Sequence, residues 1–189
     1  NYTHQDLYDN FWVNTKDKPD DGIDNDKNGY IDDTFGYNFV NNSGYAWDDQ
    51  GHGTHVSGTV GGVANNVGLL GTNPAANLMA IKVLNHRGSG YTSDVIKGIN
   101  YAVKNNANVI NMSLGSYQYS QASYDALKRA QNKKTLIVAA AGNEDNNNDN
   151  NPAYPASYNL ANIISVAASN NKDMWTRFTN WGKKTVDLY

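Results

Sequence analysis

The sequence predicts an α/β fold, a three-layer sandwich in which a mostly parallel β-sheet is flanked by helices. Short runs of aliphatic and β-branched residues alternate along the chain with amphipathic segments. The strand-like runs are apolar at successive positions, which indicates strands that are buried on both faces. Strands that alternate with helices in this way are typical of a parallel sheet covered by its crossover helices.

The predicted elements begin after a polar, Asp-rich and irregular segment, residues 1–35. GYNFV (36–40) predicts a short strand. The small apolar residues of HVSGTVGGV (55–63) recur at helical spacing, and the glycines would let that helix pack closely against a sheet. NLMAIKVL (77–84) has the pattern of a buried strand.

The second half of the chain repeats this alternation. Residues 88–106 predict a helix with Thr92 or Ser93 as N-cap, because the apolar side chains that follow share one helical face. SQASYDALKRAQNK (120–133) predicts another amphipathic helix, capped by Ser120. Three further strands are predicted in apolar runs: NVINMSL (108–114), TLIVAAA (135–141) and NIISVAA (162–168).

The composition indicates one packed domain, residues 1–189, since 39% of the residues are hydrophobic and 11% are aromatic. The net charge of −3 provides no basic surface for a polyanion, so nucleic acid is not an expected partner. No apolar run reaches membrane-spanning length, so no membrane partner is expected either. The chain has no cysteine, which excludes disulfides, thiol nucleophiles and thiolate metal sites.

Two histidines lie among glycines in DDQGHGTHVSGTVGG (48–62). His52 and His55 could share a helix face, but the HExxH arrangement of zinc proteases and cysteine ligands are absent. An isolated pair of this kind would be interpreted as helix packing or capping. Here a glycine-rich turn enters the predicted helix at His52 and leaves the ring accessible, which is what a general base needs.

GHGTHVSGT (51–59) is similar to the histidine motif of the subtilisin-like serine proteases. The resemblance implies that His52 is the catalytic base and that His55 is the structural second histidine of the motif. It extends over nearly the whole chain, because further segments match the family in the same order. The fold it implies is the α/β sandwich already indicated by the strand and helix pattern.

Two segments resemble the walls of the family's substrate groove, where an extended peptide adds itself as a strand. Taken singly, the first could be only a turn and the second only the end of a strand, but their order favours the groove. VLNHRGSGYTSDVIKGINYAV (83–103) would supply Gly88, Ser89 and Gly90. VINMSLGS (109–116) would supply Ser113, Leu114 and Gly115.

VAAAGNE (138–144) resembles the segment that carries the asparagine of the oxyanion hole, which would be Asn143. Alone, an asparagine after AAAG could be a left-handed turn residue. YPAS (154–157) and FTNWG (178–182) resemble the turn beside the specificity pocket and the run that leads toward the serine. The resemblance also implies that small residues line the primary pocket, namely Ala140, Ala141 and Gly142.

The triad of the family runs Asp, His, Ser along the chain, and only the histidine is matched. Neither D-[ST]-G, which carries the aspartate, nor GTSMA, which carries the serine, occurs in the sequence. Asp6 and Asp9 match other family positions. The 189 residues are therefore expected to be one incomplete catalytic domain, truncated at both ends, which alone would be inactive and would fold poorly.

DDGIDNDKNGYIDD (20–33) reproduces the first nine positions of a calcium loop, D-x-D-x-N-G-x-I-D. Phe35 replaces the bidentate glutamate at position twelve, and a solvated, self-repelling turn is the alternative. The expected ligands of a structural calcium ion are Asp24, Asp26, Asn28, Tyr30 through its carbonyl, Asp32 and Asp33. EDNNNDNN (144–151) is interpreted as a solvated loop.

The sequence thus predicts a serine endopeptidase that hydrolyses peptide bonds through an Asp–His–Ser triad. A non-catalytic, calcium-dependent peptide-binding or structural homologue is the alternative from another class. The resemblance implies polypeptide substrates, allows for a propeptide, and favours a secreted monomer.

Overall fold

Five strands, each paired in parallel with a neighbour, alternate with three α-helices in the computed structural model, which describes all 189 residues. The elements are β1 (Gly36–Asn38), α1 (His52–Gly61), β2 (Ala80–Lys82), α2 (Thr92–Lys104), β3 (Val109–Met112), α3 (Gln121–Asn132), β4 (Leu136–Ala140) and β5 (Ile163–Val166). The α/β class and the parallel pairing are therefore confirmed. The strands form a two-stranded sheet, β1-β2, and a three-stranded sheet, β3-β4-β5.

The chain divides into two compact units, Asn1–Gly98 and Ile99–Tyr189. The first unit is built on β1 and β2, in register from Gly36 opposite Ala80. Gly36 is required there, because its φ is +130° and a Cβ would collide with the carbonyl of Ala80. Phe39 is buried beside this pair of strands, in edge-to-face contact with Tyr37.

The glycines at the end of α1 pack closely, and their contacts are with the segment between α1 and β2. A Cβ on Gly61 would lie 3.1 Å from a methyl group of Leu78, and one on Gly62 would meet the carbonyl of Leu69. The rest of α1 is less buried than a helix in the middle of a sandwich, since Gly61 is its buried member.

The second unit has its core between α3 and the three-stranded sheet. Ile137 and Ala139 of β4 are fully buried, and α3 buries Ala126, Leu127 and Ala130. Ser120 caps α3 as predicted, because its hydroxyl accepts a hydrogen bond of 3.3 Å from the amide of Ser123.

Two expectations about the elements are wrong. The carbonyl of Tyr91 accepts from the amide of Val95, so Tyr91 occupies the N-cap position of α2 and neither Thr92 nor Ser93 does. Strand β3 is not buried on both faces, since Val109 is 54% exposed. The exposed positions of β3 alternate with more buried ones, so only one face of the strand is covered.

Candidate active site

His52 is the first residue of α1, and its side chain is exposed. Gly51 precedes it in the left-handed conformation, with φ of 96°, which a residue with a side chain rarely adopts. The amide of His52 donates to the side-chain oxygen of Gln50 at 2.9 Å. The main chain at this position is therefore fixed, while the imidazole stays open to an approaching molecule.

The carboxylate of Asp48 stabilises the turn that leads into α1 at His52. Its carboxylate accepts from the amides of Gln50, Gly51 and Thr54 at 2.8–3.0 Å, and from the hydroxyl of Thr54 at 2.6 Å. Partial burial raises the pKa of Asp48, but these hydrogen bonds outweigh burial and hold the pKa well below its ordinary value. The sequence analysis left the role of Asp48 open, because Asp48 lies three residues before Gly51, the N-cap position of α1.

The second histidine, His55, is exposed as well. Neither ring forms an ion pair with a carboxylate, because the ion pairs of the structure join Lys82 to Asp49 and Lys97 to Asp94. No group of three His, Asp or Glu side chains is arranged to hold a metal ion. The catalytic role of His52 stays a prediction.

Gly88, Ser89 and Gly90 are exposed and follow β2 in a tight turn. Asn85 closes this turn, since its amide donates to the carbonyl of Ser89 and its side-chain oxygen accepts from the amide of Ser89. Gly88 has φ of +72° and donates to the carbonyl of Asn85. The carbonyl of Gly88 and the amide and carbonyl of Gly90 form no main-chain hydrogen bond. The free hydrogen-bonding groups of this turn therefore belong to the two glycines and not to Ser89.

Ser113, Leu114 and Gly115 directly follow β3, and Gly115 is exposed. The three residues form none of the main-chain hydrogen bonds outside helices and strands. Just beyond them, Ser116 and Tyr154 exchange two hydrogen bonds of 2.8 Å. That antiparallel bridge fixes the direction in which the free segment leaves the sheet.

The end of β4 corrects one predicted pocket residue. Ala140 is exposed, but Ala141 is fully buried and packs with Ala167 and Val186. Successive side chains of a strand point to opposite faces, so Ala141 faces the core when Ala140 does not.

Asn143 is exposed, and its side chain makes no hydrogen bond within the chain. Its main-chain amide donates to the Glu144 carboxylate at 2.9 Å.

Two fully buried asparagines, Asn148 and Asn180, lie against this segment. The side-chain nitrogen of Asn148 donates to the carbonyl of Ala141 at 2.8 Å, and that of Asn180 donates to the same carbonyl at 3.0 Å. Residues 144–151 are therefore not simply a solvated loop. No local sequence pattern indicates these contacts, which span 7 and 39 residues.

The Asp-rich loop folds around the side chain of Asn28. The carboxylates of Asp24 and Asp26 both accept from the amide of Asn28 at 3.0 Å. The side-chain nitrogen of Asn28 donates to Asp26 at 3.2 Å and to Asp33 at 2.8 Å. Desolvation raises the pKa of Asp24, but hydrogen bonds, those from the amides of Gly29 and Asn28 foremost, together outweigh it and hold the pKa below its ordinary value.

Two of the six predicted calcium ligands, Asp32 and Tyr30, make other contacts in this structure, and two further buried polar residues adjoin the loop. The Asp32 carboxylate accepts from the amides of Asp21 at 3.1 Å and Gly22 at 3.3 Å. The ring of Tyr30 packs on Tyr37, and nothing in the structure tests its carbonyl. The side-chain nitrogen of buried Asn14 donates a hydrogen bond to the carboxylate of fully buried Asp33 at 2.6 Å. The main-chain amide of Asp33 donates to the carboxylate of buried Asp17 at 3.1 Å.

Comparison with known proteins decides the family. The model of the peptidase S8 subtilase family matches residues 1–189, which is the whole chain. The chain belongs to the subtilase family. Subtilases are serine endopeptidases, and the resemblance inferred from the histidine motif is therefore confirmed.

Two of the relatives are a Plasmodium protein and a Bacillus protein. This subtilase is 41% identical over 121 residues to Subtilisin-like protease 1 of Plasmodium berghei (strain Anka), covering 63% of this chain and 20% of that protein. It is 37% identical over 147 residues to Minor extracellular protease Epr of Bacillus subtilis (strain 168), covering 78% of this chain and 22% of that protein. The subtilase thus spans about a fifth of the length of these two relatives.

The fold of the subtilase is also that of a solved relative. It superimposes on a cold adapted subtilisin-like serine proteinase with a TM-score of 0.71 and 35% sequence identity, covering 80% of this chain and 52% of that one. No helix of the subtilase has both the length and the apolar character needed to cross a membrane.

Asp48→Ala is expected to destabilise the complete subtilase by about 1–2 kcal/mol at pH 7, because the start of α1 loses its carboxylate acceptor. The folded-state pKa of Asp48 is depressed, so its contribution is complete above the ordinary pKa of about 3.9 and is lost progressively as the pH falls below that value. Thermal unfolding of wild type and variant from pH 7 to pH 2 measures this difference.

The control for this experiment is Asp9→Ala, which removes an exposed carboxylate that forms no ion pair. Its effect should stay within about 1 kcal/mol. A destabilisation by Asp48→Ala that is as large at pH 2 as at pH 7 would contradict the assigned role.

Proposed function

We propose that this subtilase is a serine endopeptidase and that the 189 residues are the central part of one catalytic domain. The observation that carries the proposal is the family match over the whole chain, together with His52 exposed at the start of α1. The chain contains neither D-[ST]-G nor GTSMA, so the aspartate and the serine of the triad are assigned to residues of the complete protein outside these 189.

His52 is assigned the role of general base and then general acid. Its ring takes the proton of the serine hydroxyl as the oxygen attacks the scissile carbonyl, and returns that proton to the leaving amine. This chemistry is the one established for subtilisins themselves. The fixed main chain around Gly51 and the open ring of His52 support the assignment, because a base must be held in place and still reach its substrate.

The substrate main chain is proposed to pair with residues 88–90 and 113–115 as an added strand. The free main-chain groups of Gly88 and Gly90 support this placement, as does the unpaired segment that follows β3. The side chain before the cleaved bond would enter a pocket bordered by Ala140 and Gly142.

Asn143 is proposed to donate its side-chain amide to the oxyanion that forms on the attacked carbonyl. A neutral donor suits this role, because it stabilises the developing charge without having to be ionised. The side-chain amide of Asn143 is exposed and makes no hydrogen bond within the chain, which supports the assignment.

The test of the proposed function is covalent labelling of the complete protein by a fluorescent serine-directed phosphonate. Wild type should be labelled at one serine, and His52→Ala should lose the labelling while His55→Ala keeps it. Absence of labelling in a folded wild-type protein would instead favour a non-catalytic peptide-binding homologue.

We also propose that Asp24, Asp26, Asn28 and Asp33 hold a structural calcium ion once the Asp-rich loop has rearranged, since the carboxylates as placed here form no ready metal site. Subtilases commonly bind calcium, and carboxylate and amide oxygens are its preferred ligands. The amide nitrogen of Asn28 lies between the carboxylates of Asp26 and Asp33, where a cation would offset their repulsion. Turning that amide so that its oxygen faces inward would complete an all-oxygen set.

Calcium titration by calorimetry on the chelator-treated complete protein tests this site. Wild type should release the heat of one site that the double variant Asp24→Ala, Asp26→Ala lacks. Asp20→Ala is the matched control, because Asp20 is an exposed carboxylate of the same segment outside the D-x-D-x-N pattern. Equal heats for wild type and the double variant would remove the site.

The remaining features follow from the family assignment and are proposals of the same kind. The substrates are polypeptides, the protein is secreted as a monomer, and its precursor includes a propeptide. The name of the Bacillus subtilis relative, an extracellular protease, supports secretion.

A further inference from the structure

The geometry points to Asn180 and Asn148 as positioning residues that hold the main chain on both sides of Asn143, so that its amide is aimed before substrate binds. This inference rests on the proposed function, because it gives Asn143 the oxyanion. It goes beyond that function by naming two residues, 5 and 37 positions further along the chain, on which the aim of Asn143 depends.

Asn180 contacts the segment before Asn143 and the segment after it. Its amide nitrogen in the main chain donates to the carbonyl of Gly142 at 2.9 Å, and its side-chain nitrogen donates to the carbonyl of Ala141 at 3.0 Å. Its side-chain oxygen accepts from the amides of Glu144 at 2.8 Å and Asn146 at 3.2 Å. One buried side chain thus fixes the residues that flank Asn143 in both directions.

Asn148, which lies within residues 144–151, stabilises the same segment through hydrogen bonds of its side chain. Its side-chain nitrogen donates to the carbonyl of Ala141 at 2.8 Å, and its oxygen accepts from the side chains of Asn146 at 2.8 Å and Asn180 at 3.2 Å. The two side chains are both fully buried, where each unpaired amide would cost free energy. The network therefore has one favourable arrangement and resists displacement.

Gly142 shows how closely Asn180 approaches. Gly142 has φ of +118°, and a Cβ built on it would collide with the side-chain nitrogen of Asn180. The side-chain amide of Asn180 occupies the space that a side chain at position 142 would need. Asn143 follows directly, so its main-chain direction is set by its neighbours Gly142 and Glu144, and Asn180 binds both of them.

Neither asparagine is a catalytic residue, because the contacts of both end on the main chain and on other side chains, not on the side chain of Asn143. Their effect on turnover has to pass through Asn143. An oxyanion donor contributes most when it is aimed in advance, and a misplacement of about 1 Å can lower a rate on the order of a hundredfold.

A double-mutant cycle in the complete protease tests this dependence. Asn180→Asp keeps the size and the acceptor oxygen but replaces the donor opposite the Ala141 carbonyl, so it should lower kcat about ten- to a hundredfold and leave KM within about twofold. In a protein that already carries Asn143→Ala, the same change should lower kcat by less than about threefold. Asn150→Asp, an exposed asparagine of the same loop, controls for the added charge.

Asn148→Ala provides a second variant and should show the same dependence on Asn143. Losses that multiply with that of Asn143→Ala would overturn the positioning role while leaving the proposed protease intact. Loss of the folded state by both variants, seen as a missing unfolding transition, would also overturn it, because the amides would then serve the fold alone. A wild-type protein without turnover would refute the proposed function and this inference with it.

Discussion

His52→Ala is expected to lower kcat of the complete protease by about 10⁶-fold, a magnitude that was itself established on a subtilisin. Without the imidazole, the serine hydroxyl has no acceptor for its proton and the leaving amine has no donor. KM should change little, because the substrate is held by main-chain pairing at other segments. Initial rates on a chromogenic peptide, with active sites counted in the wild type, measure the loss.

The matched control for this prediction is His55→Ala, an exposed histidine one turn further along α1. It should retain most of the turnover and should shift the unfolding midpoint no more than an ordinary surface substitution. A His52→Ala enzyme that kept more than about a hundredth of the wild-type kcat would be incompatible with a general base at this position.

Asn143→Ala is expected to lower kcat by about 10²–10³, again a range established on a subtilisin. The lost amide would stabilise charge that develops only in the transition state, so substrate binding should be nearly unaffected. The side chain is exposed and makes no hydrogen bond within the chain, so the variant should unfold at the wild-type temperature.

Steady-state kinetics and thermal unfolding of Asn143→Ala, with Asn150→Ala as the control in the same loop, check both statements. A loss that appeared in KM with kcat unchanged would mean that Asn143 contacts the bound substrate equally in the ground state and the transition state. The oxyanion role would then be wrong.

The sequence predicted what depends on local patterns. Ser120 could be recognised as an N-cap because its partner, the amide of Ser123, lies three residues away. The strand at 135–141 could be recognised because its apolar residues are consecutive. The order and type of the helices and strands followed from the same kind of short-range signal, and the motif around His52 identified the family.

What the sequence could not predict depends on contacts between distant residues. Asn180 was interpreted only as part of a run leading toward the serine, since its acceptor at Ala141 is 39 residues away. Asn148 lay in an Asn-rich stretch that composition alone describes as solvated. The alternating pattern predicts Asp32 as a calcium ligand, but it carries no signal for the hydrogen bonds that its carboxylate accepts from Asp21 and Gly22, 11 and 10 residues away.

The turn at Gly88–Gly90 has a consequence for how such an enzyme would choose its substrates. Glycines offer peptide groups and no side chains, so a polypeptide bound there would be held through its main chain, whatever its amino-acid sequence. Discrimination would then fall on the few positions where a substrate side chain meets a pocket. Broad tolerance along most of the bound stretch, with selectivity concentrated next to the severed bond, is the behaviour that this surface favours.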